Sequence, residues 1–260
     1  MIDLERDQLR KTYQVCRIGF FILGASLVPV CIITLLVMIG LLGDRGLLNR
    51  VAGSPWNEWT ANLSVWGCLI GTMLLWGRWE HTSWQRRTGL LMLMCLVDLV
   101  SWFMDQGKAD GPAFHEWFRT NLGSALGWAE FALLASLTGD YLVHLGMDLA
   151  EDSAKSTRSL AATGAVVWML HFCEATNWEA GWPLRHRNPT IQGHLLYMGW
   201  HLIWTITLIQ VTALVIAAFR QTNRTLAEME REDQEQDALQ FPSASPPADL
   251  MVSTSPYDLT

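Results

Sequence analysis

Six long apolar blocks, at residues 18–43, 61–78, 89–105, 120–146, 159–175 and 193–219, run through this sequence between short charged or Trp-rich segments. A hydrocarbon layer about 30 Å thick takes roughly 20 apolar residues to cross as a helix. Inside it only helices or closed barrels satisfy every backbone group. The blocks therefore predict an all-α fold, a polytopic membrane helix bundle with about six transmembrane helices. Composition agrees: half of the 260 residues are apolar, 14 are Trp and 17% are charged, against about a quarter charged in soluble domains.

Three regions follow. Residues 1–17 form an amphipathic segment with Arg6, Arg10, Lys11 and Arg17, residues 18–220 the six-helix transmembrane domain, and residues 221–260 an acidic, largely disordered tail. The basic start resembles that of a signal peptide. The apolar run after it exceeds the roughly 7–15 residues of a signal core and has no small-residue cleavage site, so a retained first span is expected. Past the last block, "TLAEMEREDQEQDALQ" can carry the sixth helix into water, and "FPSASPPADLMVSTSPYDLT" has a disordered composition.

The net charge of −7 is concentrated in that tail, which holds eight acids against two arginines. The body is near neutral, with no basic surface for nucleic acid. Lys and Arg number 12 on the side of the termini and 6 in the alternate loops. The positive-inside rule then puts both termini in the cytoplasm, here across a bacterial inner membrane. The outer loops "SPWNEWTAN", "AFHEWFRTN" and "TNWEAGW" each set Glu beside Trp, as an aromatic belt at the headgroup level does. Five cysteines without CxxC spacing read as reduced packing thiols.

Ionisable side chains are costly in hydrocarbon and usually face a bundle interior or a watery cavity. Four consecutive blocks carry such residues at helical spacing: Asp98, Ser101 and Asp105; Ser136, Asp140 and His144, with Glu130 nearby; His171 and Glu174; His194, Tyr197, His201 and Thr205. By depth they divide into two groups. His171, Glu174, His194, His201 and Asp105 fall in the outer half. Asp98, Glu130, Asp140 and His144 run inward from the middle as an intramembrane relay.

The outer group, His with carboxylates, has the chemistry of a zinc, iron or copper site. His171 and His201 together could also ligate haem b. Titrating groups in a transporter are a further reading, and interfacial anchoring of the helices is the plainest one. No HExxH, GxSxG, P-loop or GxGxxG occurs, so nucleophilic catalysis and nucleotide binding have no motif.

The order of "LLWGRW", "FMDQGKADG" and "NWEAGW" along six Trp-rich spans resembles the C subunit of copper membrane monooxygenases. That resemblance implies an Asp and two His as metal ligands. Here Asp110 and His115 depart from the family's spacing and the second His position is lost, so no role is carried over.

The expected function is a multi-pass, metal- or haem-binding membrane protein of oxidoreductase type with its site in the outer half of the bundle. The alternatives are a small proton-coupled transporter or channel subunit working through the relay, and an accessory subunit of a larger membrane complex. The expected partners are the lipid bilayer and other membrane subunits.

Overall fold

The computed structural model describes residues 2–43, 45–76, 82–106, 113–175 and 191–240. They form seven helices: α1 (Ile2–Leu42), α2 (Arg45–Ala52), α3 (Pro55–Leu75), α4 (Thr82–Gln106), α5 (Ala113–His144), α6 (Leu149–Ala175) and α7 (Ile191–Gln240). Each of the six expected spans lies on a long helix of its own. Two stretches, Arg6–Leu42 of α1 and Leu195–Gln236 of α7, are long and apolar enough to cross a membrane. The segment at 176–182 and the expected disordered tail from 241 onward lie outside the described residues.

Local chemistry sets the breaks. Ser54 caps α3, its hydroxyl accepting from the Trp56 amide at 3.3 Å with Pro55 at the first helical position, where a missing amide hydrogen costs nothing. α5 ends in a Schellman turn: the Met147 amide donates to the Leu142 carbonyl at 2.9 Å and the Gly146 amide to Val143 at 2.9 Å. Gly146 takes φ +82°, which a side chain would oppose. That turn reverses the chain into α6.

Neighbouring helices alternate in direction. α3 packs on α1 and α4, α5 on α4 and α6, and α7 on α6, returning to α1 to close the ring; α7 also touches α5. Paired side chains fix the antiparallel register of α1 and α7: Cys31 with Thr212 at 3.1 Å, Phe21 with Phe219 at 5.6 Å between centroids, and Arg6 with Glu232 at 2.7 Å. α7 thus continues as helix well beyond the apolar block that ends at 219. Its acidic end is clasped to α1 by Arg6 and Arg10, both paired with Asp233.

The α1–α3 seam is close-packed. A Cβ on Gly67 would stand 2.4 Å from that of Ser26, and one on Gly71 would stand 2.6 Å from Leu23 Cγ. "GCLIG" is thus a small-xxx-small contact, in which glycines let two helix backbones approach closely.

α5 is the inner helix. From Trp128 to Leu142 it exposes no large apolar side chain, while Tyr141 at 2% exposure reaches Phe20, Trp84 and the Thr222 hydroxyl. The other long helices turn apolar side chains outward. Ile32, Ile39, Ile70, Met73, Leu93, Val100, Val166, Met169 and Leu202 are all between 44% and 57% exposed. Water-soluble monomers rarely expose so continuous an apolar surface.

Candidate functional site

Asp98 and Glu130 meet across the α4–α5 seam. The two carboxyls lie close enough to influence each other's charge, and the Cys95 thiol stands beside Glu130. Two carboxylates in contact have no donor and repel, whereas one proton between such a pair would let them hydrogen-bond. The second Glu130 oxygen, Oε1, is enclosed and has no hydrogen-bond partner. The pair therefore has an acceptor in reserve.

Small polar groups line this pocket from four helices. Cys95 lies one turn before Asp98 on α4 and stands beside Thr72 of α3; Cys68 stands beside Ser26 of α1. The hydroxyls are themselves tied to their own helices, Thr72 to the Cys68 carbonyl at 2.7 Å and Ser26 to that of Leu23 at 2.9 Å. Ser26 can stand there because Gly67 opposite it has no side chain. The α1–α3 contact thus builds one wall of the site.

The rest of the expected relay stands elsewhere. Asp140 pairs with Arg87, with side-chain exposures of 59% and 37%. His144 is exposed in the last turn of α5. Asp140 and His144 lie ten and fourteen residues beyond Glu130 on the same helix, about 15 and 21 Å along its axis. One α4–α5 seam thus separates a half-buried acid pair from a surface ion pair.

Near the end of α6 and the start of α7, His171 and His201 come to one aromatic group. His171 stands 5.5 Å from Tyr197 and 6.5 Å from Trp200, and His201 stands 4.4 Å and 3.9 Å from the same two rings. The aromatic contacts continue inward through Trp204, whose ring is 4.9 Å from Trp128 and 4.6 Å from Phe131. Glu174, His194 and Asp105 belong to α6, α7 and α4, and His115 to α5, but their side chains lie outside the described residues, as does Asp110 altogether. Among the described residues no group of three or more His, Cys, Asp and Glu is placed to hold a metal ion.

Sequence reasoning found Asp98 and Glu130 but not their partnership, and it set Cys68 and Cys95 aside as packing thiols. The spacing held a signal: Cys95 and Asp98 are three residues apart, on one helical face.

Fold and site together define an all-α bundle with two half-buried carboxyls facing each other across a helix seam. Compared with protein-family models, curated proteins and solved structures, the chain gives no match.

Proposed function

We propose that this chain is a six-span integral membrane protein of the bacterial inner membrane, with both termini cytoplasmic, in which Asp98 and Glu130 bind and release a transported proton. The observation that carries this reading is the meeting of two carboxyls across the α4–α5 seam, with Glu130 Oε1 enclosed and without a hydrogen-bond partner. A proton entering the pair bridges the two oxygens, and its departure leaves two like charges that must separate or take up another cation. The apolar outer faces of the helices support the membrane setting, and the antiparallel ring with its clasped ends supports termini on one side. Asp140 and His144, exposed and remote from the pair, serve the cytoplasmic surface rather than the proton-binding step.

Proteoliposomes carrying a pH-sensitive dye test this under an imposed gradient. Wild-type protein should dissipate the gradient, Glu130→Gln and Asp98→Asn should abolish that flux, and Asp140→Asn should keep most of it. Flux surviving in the double variant overturns the reading. So does wild-type flux equal to that of empty vesicles, the behaviour of an accessory subunit. Infrared spectroscopy reads the pair directly: a protonated-carboxyl band should be present in wild-type protein and lost in Glu130→Gln.

A second reading keeps metal or haem b at His171 and His201. It is favoured by the convergence of two imidazoles from facing helices on Tyr197 and Trp200. Such a group would supply redox chemistry, with the two imidazoles as ligands. Elemental analysis and visible spectra of the membrane-extracted protein test it. Stoichiometric metal or a Soret band lost in the His171→Ala/His201→Ala variant supports the site, and unchanged spectra in that variant overturn it.

A further inference from the structure

A groove of about 540 Å³ lies between α6 and α7 on the face away from the carboxyl pair, lined by Asp152, Ser153, Ser156, Gln210, Ala213 and Ala217 among others. Its two walls differ in chemistry. α6 contributes a carboxylate and hydroxyls, whereas α7 contributes Ala213, Leu214 and Ala217. The Thr157 hydroxyl fastens the two walls, 2.8 Å from the Ser153 carbonyl and 3.0 Å from Gln210 Oε1.

The groove has a direction. Asp152 is in the first turn of α6 and Ala217 lies close to the end of the last apolar block, so this end is at the expected cytoplasmic membrane surface. Thr157 and Gln210 are further along both helices, towards the hydrocarbon. A polar head at Asp152 with a chain running along Ala213 and Leu214 matches the order of a lipid leaflet.

Charge selects the head. The basic residues closest in sequence are engaged elsewhere: Lys155 Nζ is 2.8 Å from Glu151, and Arg158 donates to Ser136 Oγ of α5 at 3.1 Å. Asp152 is the charged residue of the lining. An anionic head group would meet a carboxylate there with no cation in the lining.

We infer that this groove holds a membrane lipid with a primary ammonium head, the ammonium against Asp152, the phosphate within reach of the Ser153 and Ser156 hydroxyls, and an acyl chain along Ala213 and Leu214. The inference rests on the membrane reading above and not on proton transport. A lipid held there would brace α6 against α7, the two helices that present His171 and His201.

The test is native mass spectrometry of the full chain released from nanodiscs containing equal amounts of phosphatidylethanolamine and phosphatidylglycerol with the same acyl chains. Wild-type protein should retain the ethanolamine lipid over the glycerol lipid by roughly tenfold, the scale of one charge-assisted hydrogen bond. Asp152→Asn should bring the ratio close to one, Ala213→Trp should remove one tightly held lipid by filling the groove, and Lys155→Gln should leave the ratio unchanged. Equal retention by wild-type protein, or an unchanged ratio in Asp152→Asn, overturns the site. Carbonate washing of the source membranes separates the two failures: a chain released by carbonate overturns the membrane reading, whereas an embedded chain without head-group preference overturns this inference alone.

Discussion

Arg87–Asp140 and Asp98–Glu130 occupy the same seam between α4 and α5, yet they are opposite kinds of interaction. At the end near the α5–α6 turn a guanidinium and a carboxylate meet in partly exposed surroundings. Such a pair loses most of its attraction to solvent and is worth little. About 15 Å along the helices, two acids face each other among buried thiols and hydroxyls. Both side chains are half-buried there, so less water is available to separate their charges, and a shared proton is the proposed substitute for the cation. Side-chain type alone does not distinguish Asp140 from Asp98; the partner across the seam and the access of water do.

The largest expected effect comes from emptying one side of the half-buried pair. Glu130→Ala leaves the Asp98 carboxyl without its partner across the seam and should cost about 1–3 kcal/mol, read as a lower unfolding midpoint in detergent. Glu130→Gln, whose amide still hydrogen-bonds, should recover most of that loss. If the alanine variant melts with wild-type protein, the contrast between the two pairs disappears.

Arg87→Ala should cost less, below about 1 kcal/mol. Its effect should fade in 1 M salt, where charges are screened over about 3 Å, while the cost of Glu130→Ala should persist. Melting curves at low and high salt therefore sharpen the distinction. A salt-insensitive loss at Arg87 would mean that this pair is as secluded as the acid pair.

The smallest effect is expected at the surface pair of α6. The hydrogen bond from Lys155 lowers the Glu151 pKa, and the same bond raises that of Lys155. The Glu151 contribution is present above its unfolded value of about 4.3 and disappears as pH falls through the lower folded value; the Lys155 contribution is complete below about 10.4 and disappears as pH rises through the higher one. Both groups are fully exposed, so Glu151→Gln should melt within error of wild-type protein from pH 5 to 9. A clear drop across that range would show an interaction more secluded than this surface.

Much of the architecture was legible because helix formation is local. The six apolar blocks predict six long helices, and the cost of charge within such blocks put Asp98 and Glu130 among the side chains to watch. The 3.6-residue repeat set Asp98 and Asp105 on one stripe and Asp140 and His144 on another, and depth then joined Asp98, Glu130, Asp140 and His144 in one relay. A stripe gives an angle on one helix; it carries no information about which neighbour that angle meets. "GCLIG" likewise became a tight seam only because Ser26 and Leu23 of α1 arrive opposite its glycines.

By itself, the sequence determined that the described chain is helical, that six long helices carry the six apolar blocks, and which positions carry charge within those blocks, since these depend on residues within a few turns of one another. It did not give α2 or the start of α1 at Ile2. Only the tertiary structure decided that Asp98 faces Glu130, that Asp140 faces Arg87, and that His171 and His201 share one aromatic pair. Those pairings follow from helix order, register and rotation, which are set by close packing between segments far apart in the chain.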